Sequence, residues 1–332
     1  MHALLIRLRL TVVPVMRTVC SLATLVILSA TIALSAQTKG VFTTVTYNVA
    51  GLPEGISRAH PATSTPYIGQ RLANCAYIHV QEDFNYHAAL YANDKHPFRS
   101  ATSGGAGFGS GLNMLSNFPL SDLRRVTWRQ RSGTDALTPK GFAFHRVHLA
   151  KGACVDFYNL HTNAGTTARD IASRASNISQ LSAFITANSA GNSVIVMGDT
   201  NSRYTRVGDN IRLLTSDNGL TDVWIQLIRG GNVPALGSAP IVAGATAKNT
   251  DEVVDKIFYR SSSLITLTPS NYRLDDTAFY HPSTHQALSD HWPVFTTFTW
   301  KLKAGRASHV SPDIHAVSEQ GPFADKFSTP NR

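Results

Sequence analysis

The chain is punctuated by short runs in which apolar residues follow one another or alternate with polar ones: "VFTTVTYNVA", "YIHVQE", "SGLNMLSN", "GFAFHRVHL", "VDFYNLHT", "SVIVMGD", "VVDKIFYR" and "HWPVFTTFTW". Each is bounded by Gly, Pro, Asn or Asp, so each predicts a strand. Val194 to Met197 is apolar on both faces, which predicts a strand covered on each side, and Gly198 marks the turn that follows. Helical spacing appears in "TPYIGQRLANC", "NYHAALYAN" and above all "TTARDIASRASNISQLSAFITANS", where Ile171, Ala175, Ile178, Leu181 and Ile185 share a face before Gly191. Strands outnumber helices, and their order is neither strictly alternating nor helix-free. The expected fold class is α+β, two packed sheets flanked by outer helices. No repeat or linker divides residues 38–300, which read as one domain, whereas 301–332 has few large apolar residues and no period and predicts a disordered tail. The glycine-rich "SGGAGFGSGLNML" runs into a strand instead of opening a helix, so it reads as a flexible surface loop and not as a nucleotide cradle.

The start of the chain departs from this pattern. An uncharged run from Val19 to Ala36 stands behind Arg7, Arg9 and Arg17 and ends in small residues, so residues 1–36 read as a secretory signal peptide and the protein as secreted. An uncleaved membrane anchor is the competing reading, and the long basic region makes Met16 an alternative initiator. Loss of that segment removes three arginines and no acid, leaving a formal +6 of the +9. Such mild basicity is too weak a field to argue for nucleic acid, and it fits a mildly anionic substrate or surface. Cys75 and Cys154 remain after the segment is gone, either as one disulfide or as two separate thiols.

Polar residues of ligand type collect at or just beyond the strand ends. Asn48 follows "VTY", Glu82 follows "YIHVQ", His161 follows "FYNL", Asp199 and Asn201 come after "VIVMG", Asp255 lies in "VVDKIF", and Asp290 and His291 lie in "LSDHWPVF". Carboxylates buried at strand ends are costly unless a cation or a partner neutralises them, so their convergence argues for a divalent metal. Oxygen donors without cysteine favour Mg²⁺, with Mn²⁺ or Ca²⁺ as alternatives.

The ordered set "TYNVAGLP", "VQED", "NLHTNAG", "GDTNS", "VVDKIFY" and "LSDHWPV" resembles the endonuclease/exonuclease/phosphatase superfamily, the DNase I-like proteins, over nearly all of residues 41–300. Within it, "SGLNMLSNFP", "PKGFAFHRV" and "SDHWPV" resemble secreted sphingomyelinases of bacterial type. The resemblance implies a four-layer α/β/β/α sandwich of two mixed sheets and a Mg²⁺-dependent phosphoric ester hydrolase. It further implies Glu82 as principal metal ligand with Asn48 and Asp290 nearby, and His291 as the general base oriented by Asp255. Asp199 and Asn201 would position the nucleophile and bind a phosphate oxygen, while His161 would meet the phosphate as charge builds. Lys140 in "PKGF" and Arg203 in "GDTNSRY" are rim candidates for substrate binding. His79, His87, His145 and His148 match no motif position and read as structural.

A phosphate-ester substrate is therefore expected, with a phospholipid at a membrane surface foremost. "PKGF" favours a choline-phospholipid phosphodiesterase of the sphingomyelinase or phospholipase C type; Arg203 resembles an element of inositol polyphosphate phosphatases; a nuclease lacks the expected basic stripe with interleaved aromatics. Phe279 and Tyr280 in "TAFYHP" are the candidate membrane contact, and no protein partner is evident. A secreted binding module that has lost activity is the alternative from another class; retention of Glu82 and His291 speaks against it.

Overall fold

The apolar runs fold into strands, several of them covered on both faces. In the computed structural model, which describes residues 37–241, 248–274 and 277–303, the elements in chain order are β1 (Lys39–Asn48), α1 (Pro61–Leu72), β2 (Tyr77–Gln81), α2 (His87–Tyr91), β3 (Phe98–Arg99), β4 (Asn113–Ser116) and β5 (Leu120–Thr127). A 3-10 turn (Gly133–Leu137) leads to β6 (Gly141–Ala150), β7 (Ala153–His161), α3 (Ala168–Asn188), β8 (Val194–Asp199), α4 (Leu213–Ser216), β9 (Thr221–Asp222), α5 (Val223–Leu227), β10 (Asp255–Arg260), β11 (Ile265–Leu274) and β12 (Val294–Leu302). Every residue of β2 and of β8 is buried. The expected signal peptide and the tail beyond residue 303 lie outside the described residues, and β12 runs two residues past the expected domain end at Trp300.

Two six-stranded sheets result, in the orders β11-β12-β1-β2-β4-β3 and β5-β6-β7-β8-β10-β9. Each is mixed, because β1 and β2 run parallel in the first and β7 and β8 in the second, with antiparallel neighbours elsewhere. Parallel pairing needs a crossover, and α1 and α3 supply it. Ile68 and Leu72 of α1 pack with Val45, Ile78 and Val80 of the first sheet. Ile178, Leu181 and Ile185 of α3 pack with Phe142, Tyr158 and Val196 of the second. Between the sheets, Tyr77 meets Phe157 with ring centroids 4.2 Å apart, and Gln81 Nε2 donates to Asn159 Oδ1 (2.8 Å). The four-layer sandwich is thus the observed fold.

The helix α3 follows its predicted stripe with a shift. Ile178, Leu181 and Ile185 are buried, but Ile171 and Ala175 are half-exposed, and Arg174 takes the covered position in the first turns. Its start is set by a capping box in which the Thr167 side chain accepts from Asp170 N (3.2 Å) and Asp170 Oδ2 accepts from Thr167 N (3.2 Å). Four strands carry no strong sequence pattern. β5, "LSDLRRVT", is a half-exposed edge; β11 contains Pro269, which a strand at the edge of its sheet tolerates; β3 and β9 have two residues each.

Two expectations are settled by packing. Cys154 carries a thiol whose Sγ lies 3.2 Å from His148 Nδ1 in the second sheet, while Cys75 is buried in the core of the first, so the bridge between them does not form. Phe279 is not a membrane contact: it is 2% exposed, with its ring 5.2 Å from Tyr47 and 5.9 Å from Phe295, and the half-buried Tyr280 lies 6.3 Å from Trp292. The loop that carries the pair folds back onto β1 and β12. Denaturant titration should show Phe279→Ala destabilising the protein by about 3–5 kcal/mol, the range for emptying a buried aromatic site. Thr167→Ala, which removes one half of the capping box, should cost about 1 kcal/mol in the same assay.

Candidate active site

Strand register assembles the site. β7 pairs β8 with His161 opposite Asp199, and β10 pairs β8 with Asp255 opposite the same Asp199. Three of the expected residues therefore form one row across three adjacent strands. In the facing sheet, Asn48 pairs with Gln81 at the ends of the parallel strands β1 and β2, which places Asn48 and Glu82 at the same mouth. Asn48 Nδ2 crosses between the sheets and donates to Asp199 Oδ2 (3.2 Å), while Asn48 Oδ1 accepts from Ala50 N (3.0 Å).

Asp199 is the buried centre of the row. Its Oδ1 accepts from Asn201 N (2.9 Å), and its Oδ2 lies 3.2 Å from His161 Nε2 and 3.7 Å from His291 Nε2. Burial alone would raise its pKa, but the His161 and His291 imidazoles, then the hydrogen bond from His161 and the Lys140 ammonium, hold it well below the usual carboxylate range. Asp255 Oδ2 lies 2.8 Å from His291 Nδ1. Burial pushes the Asp255 carboxyl up, with the charge and hydrogen bond of His291 pulling it back. For His291 burial works downward, yet the carboxylates of Asp255 and Asp199, the Asp255 hydrogen bond and Asp290 together carry its pKa well above the ordinary imidazole value. The same carboxylates stabilise the cation that forms when the neutral ring takes a proton from water. The His291 side chain remains 19% exposed.

Glu82 and Asn201 both sit in the left-handed region, at φ 57° and 46°. For Glu82 the turn is fixed by its own carbonyl, which accepts from Gly51 N (3.1 Å) and Phe84 N (2.9 Å). A side chain at position 51 would bring a Cβ within 2.5 Å of that carbonyl, so the close approach requires glycine. The turn aims the part-exposed Glu82 carboxylate into the mouth, 4.0 Å from His161 Nε2. Asn201 Nδ2 donates to Thr162 O (3.1 Å), so this side chain ties the His161 loop to the Asp199 loop.

The other expected residues divide. Lys140 is buried with Nζ 3.0 Å from His161 Nε2 and 2.5 Å from Asp135 Oδ1, so it belongs to the site. Asp290 is exposed beside the base, with Oδ1 3.5 Å from the donating Ser289 hydroxyl. Arg203 is turned away from the row, its guanidinium donating to the Glu252 carbonyl. The histidines without motif positions are structural: His79 and His145 are buried between the sheets around the Tyr77 hydroxyl, and His87 lies 2.6 Å from Asp83. Burial pulls the pKa of His79 down to about 3, and that of His145 well below the ordinary value.

Several supporting residues carried no recognisable pattern. Asp135 holds Lys140 and also accepts from Ala164 N (2.5 Å). Ser289 Oγ donates to Asn48 O (2.6 Å) and accepts from His291 N (3.2 Å), tying the base to the end of β1. Arg174 pairs with Asp209 (2.7 Å) and donates to Asn163 O and Gly165 O. A pattern of strand ends cannot reveal them, since Asp135 sits in a 3-10 turn and Arg174 on a helix.

The chemistry open to this arrangement is water activation by an imidazole beside a phosphate-binding row. Residues 68–238 match Endonuclease/Exonuclease/phosphatase family 2, and the chain belongs to that family. The chain is 38% identical over 269 residues to a sphingomyelinase of Mycobacterium tuberculosis, a match covering 78% of this chain and 53% of that protein. It thus spans about half the length of the curated relatives it matches. Among solved structures, D. rerio TDP2 complexed with a single strand DNA product superposes with a TM-score of 0.57 at 17% identity, covering 78% of this chain and 99% of that one. A beta toxin from Staphylococcus aureus with bound magnesium ions gives 0.54 at 16% identity, covering 77% and 99%. At those identities the structures speak for the fold alone.

Turnover of a soluble phosphodiester should fall by about 10²-fold or more in His291→Ala, with KM little changed. Asp255→Asn should do part of that damage. Because ring and carboxylate act as one unit, the double variant should lose far less than the product of the single losses, and kcat measured across the four proteins checks this.

Proposed function

We propose that the protein is a secreted, divalent-metal-dependent phosphodiesterase of the sphingomyelinase type, which cleaves a phospholipid headgroup ester by attack of water. The observation that carries this reading is the row of His161, Asp199 and Asp255 with His291 bonded to Asp255 and Glu82 facing it across the mouth. His291 takes a proton from the attacking water at Nε2, and Asp255 stabilises the ring cation through Nδ1. Asn201 and His161 meet the non-bridging oxygens, and Lys140 adds positive charge as the phosphate gains negative charge. The sphingomyelinase relatives support the lipid substrate over a nucleic acid, and the uncharged run from Val19 to Ala36 supports secretion.

The residues fit a hard cation. Glu82 offers a part-exposed carboxylate, Asn48 Oδ1 retains a lone pair beyond its bond from Ala50 N, and Asp290 stands exposed at the same mouth. Asp199, Asp255 and His291 also offer ligand atoms within 4.8 Å of one another, but the Asp255–His291 bond occupies the ring nitrogen that faces the carboxylate. With oxygen donors and no thiolate at the mouth, Mg²⁺ is favoured, and Mn²⁺ and Ca²⁺ remain alternatives. Such an ion would supply Lewis acidity at a phosphoryl oxygen.

Purified protein assayed on sphingomyelin, inositol phosphates, a bis-nitrophenyl diester and plasmid DNA should cleave sphingomyelin in preference to the inositol phosphates and DNA. Excess chelator should abolish the reaction, Mg²⁺ should restore it, and Glu82→Gln should raise the metal Kd measured by calorimetry while leaving Tm near wild type. Full activity in chelator would overturn the metal requirement; cleavage of DNA in preference to lipid would overturn the substrate.

A further inference from the structure

Asp83, the residue after Glu82, carries a buried carboxylate to which the chemistry above gives no part; it is 1% exposed. Its Oδ2 accepts from His87 Nδ1 (2.6 Å), at the start of α2, and from Asn113 Nδ2 (2.8 Å), at the start of β4. Among the described residues, no donor reaches its Oδ1, which is buried as well. A carboxylate so placed is a less stable way to fill space than an apolar side chain of its size. Its use therefore lies in where it holds its neighbours.

We infer that Asp83 is a positioning residue for Glu82: clamped between α2 and β4, it holds the left-handed turn that presents the Glu82 carboxylate to a metal at the mouth. The inference rests on the metal-dependent reading of the site. Glu82 has φ 57°, a conformation that a residue with a side chain keeps only where the flanking chain enforces it. On one side Gln81 is the last residue of β2, and its carbonyl accepts from Val49 N (2.9 Å). On the other, Asp83 N donates to Gly111 O (3.0 Å) while the Asp83 side chain makes its two bonds. The approach of Gly111 is close: a Cβ there would lie 3.0 Å from Glu82 Cα and 2.7 Å from the Phe84 ring. Glu82 is thus the pivot between two fixed residues.

The clamp is tied to both sheets. Asn113 stands on β4 of the first sheet, and its Oδ1 accepts from Ser100 Oγ (3.2 Å) and from Nη2 of Arg125 (2.9 Å), which stands on β5 of the second. The same Nη2 donates to Ala101 O (2.8 Å). His87 packs in turn on Tyr91, with ring centroids 4.0 Å apart. The Glu82 carboxylate is thereby fixed relative to the row of His161, Asp199 and Asp255, which the second sheet carries. A small hard cation tolerates little departure from its preferred geometry, so a ligand that is free to turn binds it weakly, and the partners that hold the ligand share in the affinity.

Binding of Mn²⁺ to the whole protein, followed by electron paramagnetic resonance of the free ion, tests this role. Asp83→Ala should raise the Mn²⁺ Kd about tenfold or more. Asp83→Asn, whose amide oxygen can accept from both donors, should stay within about threefold of wild type. In a Glu82→Gln background Asp83→Ala should change Kd by less than about twofold, because Asp83 acts through the Glu82 carboxylate; a merely structural role would weaken both backgrounds alike. Where Asp83→Ala does not fold, His87→Ala, which removes one donor at the half-buried end of the clamp, carries the same comparison with a smaller effect. A Kd equal to wild type in the folded variant, or losses that multiply with that of Glu82→Gln, would overturn the positioning role alone. Wild-type protein that binds no Mn²⁺ would overturn the metal requirement and this role with it.

Discussion

The mouth of the sandwich depends on one buried carboxylate. Asp199 accepts from its own turn at Asn201, lies against His161 on the neighbouring strand, receives Asn48 from the opposite sheet and faces His291 from the loop before β12. A carboxylate taken out of water costs several kcal/mol unless such partners replace its hydration. Because the partners come from four separate segments, the cost is offset only when both sheets and the base loop are in place. The ionised Asp199 therefore couples the closing of the sandwich to the assembly of the site. The same arrangement explains why the row survives at a position where an apolar residue would pack more cheaply.

Loops that leave such a mouth need buried anchors of their own, since their backbone groups lie where water is partly excluded. Arg174 serves two of them: from α3 it reaches Asn163 O and Gly165 O in the His161 loop, and through Asp209 it reaches Arg203 N in the Asp199 loop. Glu252 does the same for the approach to β10, accepting from Tyr204 N and Lys256 Nζ while its carbonyl accepts from Arg203. Arg203 is thus engaged in holding two loop roots together, and this accounts for its distance from the row. Helix α3 is long and capped, so its charged anchor is held on a rigid element and passes that rigidity to both loops.

How much of this could be read from the sequence follows from the physics of each feature. Strands such as β8 announce themselves because burial on both faces demands apolar residues in succession, and the chemistry-bearing residues stand out because polar side chains directly after such runs are unexpected. The β5 strand is hidden by its half-exposed edge position, where "LSDLRRVT" has no need of alternation. The register that aligns His161, Asp199 and Asp255 is not written in any one segment; it appears only when β7, β8 and β10 pair. Phe279 misled because a short aromatic pair in polar surroundings has two solutions, exposure or folding back, and the covering residues Tyr47 and Phe295 are remote in sequence. Lys140 was legible as a candidate, but its partner Asp135 was not, since a single acid in a turn carries no period.

The division between row and rim bears on how one architecture serves different phosphate esters. The row is set by strand register and by the buried charge of Asp199, so altering it disturbs the packing of both sheets at once. The rim is made of turns after β1, β2, β3 and β5, where changes of length and composition leave the strands untouched. A structure complexed with a DNA product and a toxin with bound magnesium ions share this fold at low identity. In this chain residues 100–111 hold no charged side chain, whereas the row below them is ionic and depends on partners from both sheets. The mouth therefore joins turns that can vary without cost to the sheets to a charged floor that cannot, because every group that neutralises Asp199 comes from a different segment of the paired sheets.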